Sequence, residues 1–561
     1  MIKLEYIKSF LGFGDGNKSG EYYYSQGMKR TMGGIEPRWA VVKSADSSTT
    51  AMTGLSMVNW FAERLESSNN QIYALDSANT LWKSQDTLNS WSAVSPVFSA
   101  VGHGNGLIID HSGSQRVLFA QDQYLGSYDG TLWKSDFKDF GWDIDATPRP
   151  MDLYEDWVVC GNSSTVALLN VTDDSFAKDS FTLPSGFVVR DLKSGQNGIL
   201  IGANFRNEGV LLLWDAHSDR SISPWIWTKG AINSIAKYKG IWIVSSGDEF
   251  LLTDGYRILQ TYQSPDSDIT DYLFGPLYPS GMITTEDYLM VTGGEATVAR
   301  RRRGLYILDL TTGLWEFATV PDGATNNTLM TSLFVSSTRK FFLSYDYTVG
   351  VTRYGIGRLQ NTSPQESFYI SPYFGKGSGY DKEAEGIVLD YSLSFQNQVS
   401  ELPVQEITAK IYDGSRQLWG YGVAKTASSV KGNLIVDKSA NITNYNYAEV
   451  GDEVTILEGL NAGETRHITA ISGAGTTTET WTLDSDLSEL TESGMYFNLM
   501  PFKKIGTKTI DTRTIQDNRL YFPVNNSITG RNFMVKVSMK GTTVGIRLDK
   551  IGLLYNELGL D

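Results

Sequence analysis

Apolar and polar residues alternate along this chain with a period of two rather than a helical period. Ile387, Leu389, Tyr391, Leu393 and Phe395 occupy every second position, with mostly small or polar residues between them. Ile407, Ala409 and Ile411 do the same, as do Phe533, Val535, Val537 and Met539. Successive side chains of a strand point to opposite faces, so these rows predict half-buried strands packed on a core. No window of ten or more residues sets apolar side chains at i, i+3, i+4 and i+7, so helices are not expected. Short apolar runs bounded by Gly, Asp, Asn and Ser predict further strands joined by tight turns. The chain reads as all-β.

The runs that begin near Met57, Gly106, Trp157, Gly198, Ile241, Tyr288 and Phe341 are separated by 49, 51, 41, 43, 47 and 53 residues. A repeat of this length in an all-β chain is the spacing of propeller blades, each a four-stranded sheet. A second regularity supports it: Tyr73-x-Leu75-Asp76-x4-Leu81-Trp82 matches Tyr306-x-Leu308-Asp309-x4-Leu314-Trp315, and Tyr124 to Trp133 keeps the same tyrosine-to-tryptophan spacing. These pairs predict equivalent blade positions, with the outer aromatic set against the next blade. The expectation is a seven-bladed β-propeller over 35–365. Arg38–Lys43 is a strand-like segment suited to close the ring beside Phe341–Tyr345 or Val351–Arg358. The competing reading is a pair of β-sandwiches with chance spacing.

Past the polar linker Gln360–Pro364, the alternating rows predict a C-terminal β-sandwich over 366–424 and 500–561. Residues 425–499, with short strands around Val450–Val454 and Trp481–Leu483, read as an inserted small β-barrel. Residues 1–34 are glycine-rich (Phe10–Asn17, Thr31–Gly34) and read as an extended N-terminal arm that orders on a neighbour.

Composition narrows the function. The chain has 561 residues, 41% apolar and 12% aromatic, enough for large cores and against disorder. Lys and Arg total 48 against 63 Asp and Glu, a net charge of −15, which argues against a nucleic-acid-coating protein. Cys160 is the sole cysteine, so neither an intrachain disulfide nor a CxxC metal site exists. Apolar runs such as Val210–Trp214 fall far short of a membrane span, and Met1–Phe10 lacks the apolar stretch of a signal peptide.

Candidate chemistry is sparse. Asp15-x-Asn17-x-Ser19-Gly20 begins like a calcium loop, but Gln26 stands where a bidentate Glu is needed. Four histidines, at 103, 111, 217 and 467, form no metal-binding spacing. Cys160 reads as a small buried residue. Neither a GxSxG nor a P-loop pattern occurs. Ser84–Trp91 resembles the Asp-box of sialidase-type propellers with Leu88 in place of its central glycine, a turn element rather than a catalytic one. Arg300, Arg301, Arg302 and Arg303 form the most unusual local feature, a four-arginine hairpin that reads first as a solvated loop, second as a contact for an acidic face on a neighbour and third as a nucleic-acid contact. No catalytic residue, metal or cofactor is expected, and the chain does not read as an enzyme.

The layout resembles virion proteins of tailed bacteriophages, above all nozzle- or adaptor-type tail proteins built around a β-propeller. A glycine-rich arm ending in Gly33-Gly34-Ile35-Glu36-Pro37-Arg38 carries the resemblance, followed by the propeller and a sandwich that closes with Val544–Tyr555. It implies a structural tail component, assembled in the bacterial cytoplasm, that forms a homo-oligomeric ring of about six copies. Such a ring docks neighbouring adaptor, fibre or spike proteins and lies close to DNA in an exit channel. A carbohydrate- or receptor-binding tail module is the alternative, and a glycan-active enzyme a third reading.

Overall fold

The structure, a computed structural model, describes residues 105–141 and 149–263 with only single-residue gaps, and elsewhere the strands and turns around them. Residues 264–278, 294–303, 394–403 and 438–452 are among those outside the described residues. Among the described residues strand dominates and no α-helix occurs.

Seven four-stranded antiparallel sheets make up a propeller-like repeat. Sheet 1 comprises Val58–Arg64, Gln71–Asp76, Leu81–Gln85 and Trp91–Val94. Sheet 2 comprises Gly106–His111, Ser114–Gln121, Tyr124–Tyr128 and Trp133–Asp139. Met151–Tyr154, Trp157–Asn162, Thr165–Asn170 and Phe176–Thr182 form sheet 3. Sheet 4 is Phe187–Gly195, Gly198–Phe205, Glu208–Trp214 and Ile226–Thr228, and sheet 5 is Ile232–Tyr238, Ile241–Ser246, Glu249–Thr253 and Ile258–Gln263. Met282–Thr285, Tyr288–Gly293, Gly304–Asp309 and Leu314–Thr319 form sheet 6. Sheet 7 takes three strands from Met330–Val335, Phe341–Val349 and Val351–Gln360, and its fourth from Ala40–Asp46, far upstream.

The first strand of each sheet lies beside the first strand of the next, from sheet 1 to sheet 7 and back to sheet 1. Seven apolar cores sit between neighbouring sheets, one at every junction, including that of sheet 7 with sheet 1 (Phe342 and Ile356 against Phe61 and Trp82). Middle strands are covered on both faces and are apolar nearly throughout, as in the buried Ile199–Ala203. Ile258–Gln263, the fourth strand of sheet 5, faces solvent and is exposed at every residue but Tyr262. No single sheet covers its own apolar faces, so each depends on its neighbours.

One polar device recurs. Where the third strand turns into the fourth, Asp129, Asn170, Asp215, Asp254 and Asp309 each accept bonds at Oδ1 from the amides two and three residues ahead. An Asx turn of this kind satisfies the hairpin's amides in place of water.

Two further sheets share one core. The six-stranded sheet runs in the order Arg519–Gly530, Lys382–Leu393, Ile546–Glu557, Gly34–Pro37 and Met28–Thr31, with Ile2–Ile7 also paired to Ile546–Glu557. The five-stranded sheet runs Tyr24–Gln26, Ser367–Ile370, Met534–Gly541, Val404–Tyr412 and Lys503–Asp511. Ile387, Leu389 and Phe522 from the first meet Ile407, Val535 and Val537 from the second. A closed barrel of Leu418–Ala424, Asn433–Asp437, Thr478–Leu483, Thr465–Ser472, Glu453–Ile456 and Glu492–Met500 enters between Val404–Tyr412 and Lys503–Asp511. These two strands pair, with Ile411 opposite Lys503, so the barrel's two ends leave from neighbouring points.

Three expectations are corrected. Residues 1–34 are not an arm left for a neighbour, because Ile2–Ile7, Tyr24–Gln26 and Met28–Thr31 pair within the chain's own sheets. The edge of the twelve-residue strand Ile546–Glu557 would otherwise stand open. Two boundaries also move: Gly34–Pro37 joins the six-stranded sheet, so the propeller-like part starts at Ala40, and the barrel starts at Leu418.

The aromatic pairs are the third. Tyr73 and Trp82 lie on the second and third strands of sheet 1, whereas Tyr124 and Trp133, like Tyr306 and Trp315, lie on third and fourth strands. The run starts slip likewise: Gly106 opens a first strand, but Trp157, Gly198, Ile241, Tyr288 and Phe341 open or begin second strands. The three matched pairs each flank a turn that opens on an aspartate (Asp76, Asp129 and Asp309), so the pattern marks such hairpins and not strand rank. The tryptophans also face the preceding sheet around the ring rather than the next. Trp82 packs with Phe342 of sheet 7, Trp133 with the core shared by sheets 1 and 2, and Trp315 with Phe250 of sheet 5.

Candidate functional site

First strands of successive sheets lie side by side. Polar side chains on three neighbouring first strands meet. Asp152 of sheet 3 accepts at Oδ2 from the Ser194 amide at 2.7 Å and the Ser194 hydroxyl at 2.9 Å, both on sheet 4. Lys237 of sheet 5 reaches the same Oδ2 at 2.7 Å and donates to Ser194 Oγ at 2.8 Å. A bulge between Val189 and Asp191 turns the next carboxylate into the cleft between sheets 4 and 5. There Asp191 accepts from the Ile235 amide at 2.6 Å and the Leu192 amide at 2.8 Å, with Lys193 Nζ at 3.4 Å. The Lys237 carbonyl accepts in turn from Thr284 of sheet 6.

Burial pushes the Asp191 carboxyl up, against the pull of Lys193 and the two amides. The same burial pushes Lys193 down, but Asp191 and Asp152 outweigh it and its net shift is upward. With three donors converging on Asp191, the geometry favours the ion pair. Replacing bulk water with these donors is what makes a buried carboxylate tolerable here.

The chemistry this network supports is bridging. A lysine serves as base to a serine only with a free amine, and Lys237 spends its Nζ on Asp152. Ser194 Oγ both donates and accepts within the bridge. The bridge ties the first strands of sheets 3, 4 and 5 to one another, the Thr284 bond adds that of sheet 6, and Lys237 stays half exposed.

The 3-10 turn Pro279–Gly281 approaches the first strands of sheets 1, 5 and 7. Ser280 donates to the Asn59 carbonyl of sheet 1, and Thr292 Oγ1 donates to the Gly281 carbonyl at 3.1 Å. This turn occupies the start of the first-strand cluster. The junction of sheets 7 and 1 has polar ties of its own: Thr331 and Ser332 donate to the Val58 carbonyl, Ser337 donates to Glu63, and Asn70 donates to Ser337 Oγ.

The residues singled out from sequence fall elsewhere. Arg300–Arg303 lie outside the described residues, in the connection between Tyr288–Gly293 and Gly304–Asp309, whose ends meet at Gly293 opposite Gly304. Asp15–Gly20 and His103 also lie outside them. Ser84 pairs with Trp91 across the Asp-box-like hairpin, whose middle, 86–90, is outside the described residues. Tyr73, Trp82, Tyr124, Trp133, Tyr306 and Trp315 are distributed among three sheets and form no common site. His111 Nδ1 lies 2.6 Å from the Val171 carbonyl and 3.7 Å from Asp174, and His217 lies 3.4 Å from Glu155. Cys160 is buried on a second strand of sheet 3, where burial pushes its thiol up to about 12. Among the described residues no group of three or more His, Cys, Asp or Glu is placed to hold a metal. The Asp152–Ser194–Lys237 bridge escaped sequence reading, although Arg190-Asp191-Leu192-Lys193-Ser194 is an unusually charged stretch for an inner strand.

No family model matches the chain, and no curated protein does. Among solved structures, the chain is similar to BBS1N in its complex with ARL6DN, with 11% identity and a TM-score of 0.39 over 58% of this chain and 98% of that one. It is similar to Raptor of Chaetomium thermophilum with 10% identity and a TM-score of 0.40, over 58% of this chain and 30% of that one. The computationally designed Ika8 protein gives 10% identity and a TM-score of 0.37, over 55% of this chain and 86% of that one. Scores this low say nothing about function. The strand pairing defines an all-β, propeller-like assembly of small antiparallel sheets.

Proposed function

We propose that this chain is a structural component of a bacteriophage tail. In this reading its seven sheets are the blades of one closed propeller, its two facing sheets form a sandwich, and the barrel is an insertion in that sandwich. Copies of the chain close into a ring of about six around a DNA exit channel and dock other tail proteins. The observation that supports this reading is how the N-terminal segment is used. Its strands enter both facing sheets and then supply the outer strand of sheet 7. A chain stitched in this way transmits load between its two bodies through paired strands, as a conduit wall must during ejection. The net charge of −15 suits a wall that passing DNA does not adhere to.

The outer edges of the facing sheets point the same way. Lys503, Lys504 and Lys508 are exposed on one edge strand, and exposed Pro523 interrupts the other. Lysine and proline on an edge oppose strand addition, so copies would meet through loops and side chains. Arg300–Arg303 is the loop we assign to an acidic neighbour. The test is the native mass of the full-length protein together with that of a variant lacking residues 1–34. A closed ring that is lost on truncation while sheets 1–7 stay folded is the expected result. A monomer in the assembled particle overturns the proposal.

A further inference from the structure

The six-stranded sheet packs one face on the shared core, and its other face carries a row built across four strands. Tyr521 stands opposite Val388, Val388 opposite Gly552, and Gly552 opposite Tyr6. Ile387, Leu389, Phe522, Ile551 and Leu553, next to them in sequence, point into the core. Alternation therefore sends the row to the opposite face. Two of its rings rest on glycines. A Cβ at Gly552 would come within 2.7 Å of the Tyr6 ring, and one at Gly386 within 2.3 Å of the Tyr521 ring. Neither glycine has a positive φ, so it is the rings and not the backbone that exclude a side chain there. Gly386 and Gly552 are diagonal neighbours on adjacent strands, about 7–8 Å apart. The Tyr521 hydroxyl donates to the Glu385 carbonyl at 3.3 Å, which fixes its ring across Gly386. Val388 is buried in the row, whereas Tyr521 is 44% exposed and Tyr6 half-buried.

Two residues along the strands, about 7 Å away, the next row is polar. It sets Arg519, Asp390 and Lys550 side by side. Lys550 Nζ lies 6.0 Å from the centre of the Tyr6 ring. Asp390 first, and the Tyr6 phenol after it, push the Arg519 guanidinium up, so phenol and guanidinium are neighbours. Charges of both signs border the rings, Arg519 and Lys550 with Asp390 and Lys3 with Glu557, so no single sign is offered to an ion. Leu4 and Ile2 continue the exposed face. Even with them the apolar area is on the order of 300 Å², well short of the roughly 800 Å² that each partner of a stable protein complex buries. The occupant that fits is small in section, neutral and rich in hydroxyls. A phenol face accepts the C–H face of a sugar ring, while guanidinium and carboxylate bond hydroxyls that both donate and accept. We propose that Tyr521 and Tyr6 form a platform for a neutral, extended glycan chain, with Arg519 and Asp390 bonding its hydroxyls. Rings set on adjacent strands suit successive sugars of such a chain. This goes beyond the tail reading and does not depend on ring assembly.

The experiment is native gel electrophoresis of the full-length protein in gels containing hydroxyethylcellulose, glucomannan, dextran or polygalacturonate. The first two, extended neutral β-1,4 chains, should retard the protein, and the coiling dextran should not. Polygalacturonate should not retard a protein of net charge −15 either. Tyr521→Leu and Tyr6→Leu keep an apolar side chain but remove the π face, and each should weaken retardation by about tenfold. Tyr521→Phe keeps the face and should retain most of it. Arg519→Ala should weaken it by about threefold, the worth of one hydrogen bond. Melting temperatures of the variants establish that each is folded. Retardation by neither β-1,4 glycan, equal retardation by dextran or polygalacturonate, or undiminished retardation of folded Tyr521→Leu overturns the proposal. Saturable binding of a proline-rich peptide, with no retardation by either glycan, would overturn it in favour of a peptide platform.

Discussion

Trp82 donates its indole N–H to the Oδ2 of Asp76 at 2.8 Å, inside a hairpin where Asp76 is fully buried. The other oxygen accepts from the amides of Ala78 and Thr80. One carboxylate thus satisfies three donors that would otherwise be stranded in the junction of sheets 1 and 7. In the matching motif of sheet 6, Asp309 accepts from the turn amides of Thr311 and Thr312, and Trp315 donates instead to the Gln263 carbonyl at 2.7 Å. Asp76→Ala should therefore cost about 3 kcal/mol, because it leaves buried donors unpaired, and Asp309→Ala about 1 kcal/mol. Hydrogen exchange at Thr80 and calorimetric melting check this. Equal losses at the two positions would show that the indole bond contributes nothing.

This contrast also explains what was legible in the sequence. Strand content and tight turns could be read because alternation and acidic turns are local. The closing role of the segment around Ala40–Asp46 was visible because a ring needs a partner for Val351–Gln360. Strand rank was not visible. The Tyr73–Trp82 and Tyr306–Trp315 motifs are the same local hairpin at different ranks, and rank is set by which sheet covers which face. The use of residues 1–34 was hidden for a similar reason: Ile2–Ile7 reads as an ordinary short strand until Ile546–Glu557 lies beside it. The Asp152–Ser194–Lys237 bridge joins residues from three sheets, so no window of sequence contains it.

Cys160 should be chemically silent in the folded protein. Burial is the main reason its thiol is pushed up to about 12, with Arg149 pulling weakly the other way. Near pH 8 only about one thiol in ten thousand is then ionised, and the thiolate is the reactive form. A disulfide reagent such as Ellman's should label no thiol in the native chain and one per chain after denaturation. Rapid native labelling would mean that the junction of sheets 2 and 3 opens.

Asp390 should give the two facing sheets an acid-sensitive contribution. Its carboxylate accepts from Arg519 at 2.6 and 3.1 Å and lies 3.6 Å from Lys550. The Arg519 bonds, helped by both positive charges, hold its carboxyl below the ordinary value in spite of burial. A lowered folded-state value stabilises the fold above the unfolded carboxyl's range, about pH 4, and that stabilisation is lost as pH falls through the folded value. Asp390→Asn should thus lower the melting temperature at pH 7, with the gap to wild type closing as pH falls below 4. A gap that stays constant from pH 7 to pH 3 would exclude the ion pair as its source.

The strand Ala40–Asp46 should be what keeps sheet 7 from presenting an open edge. It pairs antiparallel with Val351–Gln360, from Gln360 opposite Ala40 to Gly355 opposite Asp46. Without it, a ten-residue strand would expose its unpaired amides and carbonyls to any other chain. Two truncations separate this role from that of the upstream strands. Removing residues 1–37 takes Ile2–Ile7, Tyr24–Gln26, Met28–Thr31 and Gly34–Pro37 from the facing sheets but leaves the closing strand. Removing residues 1–46 takes both. The shorter deletion should loosen the facing sheets while amides of Val351–Gln360 keep their protection from hydrogen exchange. The longer one should abolish that protection and bring concentration-dependent association, because the ring then has an unpaired seam. If exchange across 351–360 is the same in the two truncations, the closing strand does not seal the seam, and the hydrogen bonds of Thr331, Ser332 and Ser337 to sheet 1 hold it alone.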